Sequence, residues 1–136
     1  MYPGKKPRKV LPVKATRFLL VMHGENEVLL EKRPNQGIWG GLWCFPEMDI
    51  DTASIEAWCL DRLQTTPNAL QELTPFRHTF SHYHLDISPV LVSIEAAPES
   101  IMETDARLWY NLRQPPSLGL AAPVVKLLKS IEQNAN

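Results

Sequence analysis

Apolar and polar positions along this chain switch between two periods. Ala15 to His23 (ATRFLLVMH) is almost continuously apolar and stops at Gly24-Glu25-Asn26, which predicts a strand and a turn. Glu27 to Lys32 (EVLLEK) follows as the hairpin partner. Arg33 to Gly41 (RPNQGIWGG) reads as a Gly- and Pro-rich loop delivering the chain into a short strand, Leu42 to Pro46. From Asp51 to Leu63 the period becomes helical, with Ile55, Trp58, Cys59 and Leu63 on one stripe and Asp51 or Thr52 as N-cap. Strands are then expected at Glu72 to Thr79, at His82 to Glu95 and at Ala106 to Leu112. Pro89 requires an edge or a bulge where it falls. Pro123 occupies the N1 position of a last helix, whose stripe is Val124, Leu127, Leu128 and Ile131. Strands interrupted by one helix and closed by another predict an α+β fold, a sheet packed between helices.

Composition sets the scale of that fold. A chain of 136 residues, 44% apolar and 21% charged, is long enough for one packed core and too apolar to be disordered. Its longest apolar runs fall far short of the ~20 residues that span a bilayer, and no export signal opens the chain. The two cysteines, Cys44 and Cys59, lie among apolar neighbours and read as buried reduced thiols, too few for a disulfide scaffold or a four-thiolate cluster.

The net charge of −1 conceals an asymmetry. Lys5, Lys6, Arg8, Lys9, Lys14 and Arg17 precede any acid, and Pro3, Gly4, Pro7 and Pro12 keep that stretch extended. Residues 1–14 therefore read as a basic linker and residues 15–136 as the domain. Such an arm either neutralises phosphates or is a solvated tether.

Candidate chemistry is sparse. His78, His82 and His84 gather around Ser81, with Asp86 nearby. His82 and His84 on one strand face are compatible with a metal, yet no third ligand is apparent, and a half-buried strand needs a polar face in any case. A Ser-His-Asp nucleophile lacks the Gly-rich elbow around Ser81. Glu25/Glu27 and Glu99/Glu103 read as solvated acids. Trp39, Trp43, Trp58 and Trp109 read as core and loop anchors, not as a stacking platform.

The order Leu29-Leu30-Glu31-Lys32-Arg33, Gly37-Ile38-Trp39 and Trp43-Cys44-Phe45-Pro46 resembles the Nudix superfamily. There, a strand ending in Phe-Pro leads to a Gly-Gly turn and a helix whose glutamates hold Mg²⁺. Aligned on Phe-Pro, this chain has Glu47 and Met48 at the turn, and Cys59, Leu60, Leu63 and Gln64 where the arginine and glutamates belong. Aligned on Gly41 and Glu47, the key positions hold Ile55, Cys59 and Leu60. The resemblance thus implies a Nudix-like (MutT-like) mixed sheet flanked by two main helices, without the metal-site carboxylates.

A narrower resemblance runs nearly end to end. Tyr2-Pro3-Gly4-Lys5-Lys6-Pro7, Trp39 to Pro46 (WGGLWCFP), Phe76 to His82 (FRHTFSH), Trp109 to Leu112 (WYNL) and Pro115 to Val124 (PPSLGLAAPV) are similar to the C-terminal domain of the MutY family of bacterial adenine DNA glycosylases. The resemblance implies a lesion-recognition domain that reads 8-oxoguanine opposite the adenine excised by an N-terminal catalytic domain. It further implies that Met1 is an added start residue and that the fragment itself is not catalytic. Partners would be duplex DNA with 8-oxoguanine:adenine or guanine:adenine mispairs and the chain's own catalytic domain, in a monomer of the bacterial cytoplasm, associated with the nucleoid. No cofactor is implied here; the parent's 4Fe-4S cluster belongs to the N-terminal domain. Phe80, Ser81 and His82 carry over as the lesion-reading loop, with Arg77 and His78 beside it and Lys5, Lys6, Arg8 and Lys9 on the DNA backbone. The alternative is an active Nudix pyrophosphohydrolase of oxidised nucleotides; a protein-interaction module is a third class.

Overall fold

In the computed structural model, residues 10–50, 54–95 and 103–134 are described. The element order is β1 (Val13–His23), β2 (Glu27–Lys32), β3 (Trp43–Cys44), β4 (Glu47–Met48), α1 (Ile55–Leu63), β5 (Ala69–Glu72), β6 (Phe76–Thr79), β7 (His84–Ile94), β8 (Arg107–Asn111) and α2 (Ala122–Asn134). β1 and β7 run parallel through the middle, paired from Val13↔His84 to His23↔Ile94. A core on each side of the sheet buries β1 on both faces, which is why its sequence is continuously apolar and not alternating.

β1 and β2 pair only beside their turn, at Met22↔Val28 and His23↔Glu27, and then splay apart. The segment from Trp43 to Met48 fills the gap. Its β3 half pairs with β2, its β4 half with β1, and the Leu19 N–H donates to the Pro46 carbonyl at 2.9 Å. The expected strand Leu42 to Pro46 is thus two short pairings divided at the buried Phe45-Pro46.

Two cores form, one on each face of the sheet. Phe18, Leu20, Val28, Leu30, Leu85 and Ile87 pack under the α2 stripe of Val124, Leu127, Leu128 and Ile131. Leu19, Val21, Leu29, Val90, Val92 and Ile94 pack under Cys59 and Leu63 of α1. The mixed sheet between two helices bears out the expected α+β class.

Several local expectations need correction. The cap of α1 is Ser54, whose hydroxyl accepts from the Ala57 N–H at 3.2 Å; Asp51 and Thr52 lie outside the described residues. The strand expected over Glu72 to Thr79 is broken into β5 and β6. With Glu72 opposite Val90 and Phe76 opposite Ile87, the three residues 73–75 face only two, 88 and 89. That one-residue excess is the bulge required by Pro89, which lacks an N–H for the ladder. β1 begins at Val13, inside the stretch read as linker, and β7 begins at His84 and not at His82. Glu103, read as a solvated acid, accepts from the Trp109 N–H at 2.8 Å.

Burial pushes the Cys44 thiol up to about 12, helped by the Glu47 carboxylate, and the Cys59 thiol up to about 11, helped by Glu56. At pH 8 the thiolate fraction is then about one in a thousand or less. Native protein is expected to leave both thiols unalkylated by iodoacetamide under conditions where guanidinium-unfolded protein takes up two equivalents. Rapid labelling of the native chain would show that these thiols are open to solvent and not enclosed in the two cores.

Candidate nucleic-acid interface

β6 and β7 form a hairpin that pairs Thr79 with His84 and turns through Phe80-Ser81-His82-Tyr83. The Phe80 N–H donates to the Tyr83 carbonyl at 2.8 Å, closing a four-residue tip. Just below, Thr79 Oγ1 and His84 Nδ1 lie 2.8 Å apart and hold the base of the turn. Ser81 and His82 are exposed at the tip, whereas Phe80 and Tyr83 are half-buried with ring centroids 4.9 Å apart. The tip therefore offers one hydroxyl and one imidazole to solvent over an aromatic base.

That base is continuous. Phe80 lies 4.7 Å from the His78 ring and 5.2 Å from Trp39, and His78 and Trp39 are 5.5 Å apart, edge to face. The Lys14 ammonium sits 4.5 Å above the Tyr83 ring, so one cation of the basic stretch reaches the hairpin. Lys5, Lys6, Arg8 and Lys9 lie outside the described residues.

Successive residues of a strand point to opposite faces, which separates Arg77 from His78. Arg77 donates two bonds to Asp86, at 2.6 and 3.1 Å. Hydrogen bonding to Arg77 holds the Asp86 carboxyl below its ordinary range, and Asp86 raises Arg77 in turn. The Arg77 charge is partnered, on the face away from the aromatic base. Phe80, Ser81, His82 and His78 come together; Arg77 does not join them. His82 leaves the strand face it was expected to share with His84, and among the described residues no three His, Cys, Asp or Glu groups converge on a common point.

Reading by residue type alone treats Trp39 as one anchor among four. Its setting is more specific: it adopts φ 54° within a loop that also has Gly37 at φ 94° and Gly41 at φ 75°. At Gly40 an added Cβ would come 2.4 Å from the Asn35 carbonyl oxygen, so only glycine fits there. The Gly-x-Trp-Gly-Gly spacing is the sequence signal for this constrained loop.

The helix positions of the Nudix register are equally defined. Cys59 and Leu63 face the core, Leu60 is 58% exposed, and Gln64 ends α1 in the left-handed region at φ 56°. Glu47, at the turn of that register, accepts from Thr16 Oγ1 at 2.7 Å and pairs with Arg33. A separate groove of about 770 Å³, lined by Met22, Phe76, Leu91, Lys126, Leu127 and Ile131 among others, holds none of the lesion- or DNA-binding residues predicted from the sequence.

A family model described as the NUDIX domain matches residues 17–130. The chain is 34% identical over 98% of its length to the adenine DNA glycosylase of Buchnera aphidicola subsp. Acyrthosiphon pisum. It spans about a third of that relative, 37% of its length. Among solved structures, the C-terminal domain of mouse MUTYH, in a complex with human PCNA, superposes with TM-score 0.66 at 18% identity, covering 88% of this chain and 87% of that one. A MutT NUDIX hydrolase from Burkholderia pseudomallei gives TM-score 0.64 at 17% identity, covering 86% of this chain and 96% of the other. At those identities the structural likenesses show the fold alone.

Proposed function

The chain belongs to the NUDIX domain family, and on that premise we propose that it is the lesion-recognition domain of an adenine DNA glycosylase, reading 8-oxoguanine opposite the adenine to be excised. The observation that carries the reading is the exposed Ser81-His82 tip on its aromatic base, within a chain that aligns almost end to end with part of an adenine DNA glycosylase. Guanine presents N7 as an acceptor in the major groove. In 8-oxoguanine N7 carries a hydrogen, so a hydroxyl that accepts there prefers the lesion without a formal charge. Ser81 is that hydroxyl in this proposal. Phe80 supplies apolar support and His82 a polar contact to the lesion strand, with His78 behind Phe80. Lys5, Lys6, Arg8 and Lys9 would meet phosphates together with Lys14. Arg77 contributes less, because Asp86 already holds it.

Adenine flipping and excision would lie in a glycosylase half outside these residues, and contacts to the orphaned lesion would help offset the few kcal/mol of flipping. The same holds for a 4Fe-4S cluster. Cys44 and Cys59 do not fit one, since they are buried in separate cores with raised thiol pKa values. A monomer of the bacterial cytoplasm, acting on 8-oxoguanine:adenine and guanine:adenine mispairs at the nucleoid, completes the proposal. Among the described residues no helix is long and apolar enough to cross a membrane.

Nuclear magnetic resonance titration of the chain with matched duplexes tests this directly, because it reads weak binding as well as tight. Amides of residues 80–83 are expected to shift, and the 8-oxoguanine:adenine duplex to bind more tightly than guanine:adenine. Ser81→Ala removes one discriminating hydrogen bond, worth about 0.5–1.5 kcal/mol, so the preference should fall roughly 2- to 13-fold. Phosphate contacts act alike on both duplexes, so their ratio isolates base readout. Equal affinities for the two duplexes, or shifts confined to other surfaces, would end the proposal.

A further inference from the structure

We propose that Trp39 is the positioning residue of the recognition loop: it fixes the Phe80 ring, and through it the direction in which Ser81 and His82 are offered. The inference rests on the lesion-recognition reading above. Ser81 and His82 are exposed at the tip, and the Phe80 ring next to them in the loop is the one packed against its surroundings. Among the described residues three aromatic groups lie against that ring. Tyr83 belongs to the same tip and His78 to the strand leading into it, so both move with the hairpin. Trp39 is the one that comes from elsewhere in the chain.

Trp39 is also held independently of the hairpin. Its loop is closed by the Arg33 N–H on the Leu42 carbonyl at 2.8 Å, by the Leu42 N–H on the Trp39 carbonyl at 3.0 Å, and by the Gly41 N–H shared between Arg33 and Pro34 carbonyls at 3.3 and 3.2 Å. Arg33 lies 5.9 Å from the Trp39 ring and pairs with Glu47, which accepts from Thr16 on β1. Behind the indole stands Phe18, 6.3 Å away and fully buried. A non-glycine residue in the left-handed region persists only where its surroundings over-determine it, and here they do. The constrained backbone seats a large ring on the core beside Phe18, and there it meets the Phe80 and His78 rings of the hairpin.

Order parameters and binding together test this on the intact chain. Trp39→Leu keeps apolar bulk and removes the aromatic edge. The amide order parameters of residues 80–83 should fall toward about 0.6 while the sheet stays rigid. The 8-oxoguanine preference should drop roughly 2- to 10-fold, and Trp39→Phe should restore most of both. Phe80→Leu breaks the same contact from the hairpin side without touching the Arg33–Leu42 loop. It should loosen residues 80–83 alike, and the double variant should be no looser than either single one. This arm stands even if Trp39→Leu fails to fold. Unchanged loop order in Phe80→Leu, or unchanged order and preference in Trp39→Leu, overturns the inference. Ser81→Ala run alongside separates the two ideas. If it lowers the preference while Trp39→Leu does not, the positioning role fails and the recognition reading stands. If it has no effect, the recognition reading fails, and loop order alone decides whether Trp39 holds the hairpin.

Discussion

Replacing Phe18 with alanine is expected to cost about 3–5 kcal/mol of unfolding free energy, the range for deleting a fully buried aromatic ring. Phe18 has no exposed surface and sits between the Phe45 ring at 6.2 Å and the Trp39 ring at 6.3 Å. Its strand is clamped by parallel pairing to β7 along its whole length, so the site has little freedom to collapse around the void. A domain of this size has about 7–20 kcal/mol in total, so the variant should still fold in the cold and lose roughly 10–20 °C in Tm. Phe18→Leu refills most of the volume and should cost well under half as much. Urea titration with unchanged m-values checks the difference. A Phe18→Ala cost below about 1 kcal/mol would mean that this core is loosely packed, contrary to the close approach of its rings.

Phe18 also shows how far the sequence could be read. The continuous apolar run around it identifies a central strand, and β2, β8, α2 and the turn at Gly24 follow from period and punctuation within a residue or two. The failures have a common cause, a tertiary partner that local pattern does not encode. Period alone extends α1 back to Asp51, but Ser54 has the extended backbone and free hydroxyl that cap it. Pro75 lies inside an otherwise strand-like stretch, and only the pairing with β7 shows that the residue excess falls opposite Pro89. His82 and His84 are two apart, as one strand face requires, yet the hairpin places its last tip residue between them. The site divides the same way. Phe80, Ser81 and His82 stand out through a family string, whereas the contact of Trp39 with Phe80 joins segments some forty residues apart. Arg77 is visible as a cation but its partner Asp86, across the hairpin, is not.

Incubated with 8-oxo-dGTP or ADP-ribose and Mg²⁺, the chain is expected to release neither phosphate nor pyrophosphate, and introducing one carboxylate on the core face of α1 should not create the activity. Metal-assisted cleavage requires several carboxylates converging on an accessible ion. In the Phe-Pro register the arginine and glutamate positions are Cys59, Leu60, Leu63 and Gln64, none of which carries a carboxylate. Positions four apart on a helix share a face, and here the face of Cys59 and Leu63 is turned into the core beneath Leu19, Val21 and Val92. Leu60 points to solvent and Gln64 has already left the helix. Cys59→Glu would therefore bury an unpaired carboxylate where no surface is exposed, and it is expected to destabilise the fold by about 3 kcal/mol or more without conferring turnover. Part of that loss should be recovered at low pH. Burial raises the folded-state pKa of the new carboxyl above its unfolded value near 4.3, so the protonated form is favoured in the folded protein. Its penalty is then full above the raised pKa and relieved as pH falls through it toward the unfolded value. Robust hydrolysis by the unaltered chain, lost on chelation, would overturn this and return the domain to the hydrolases whose fold it shares. A Cys59→Glu variant as stable as the parent would show instead that α1 can turn this face outward.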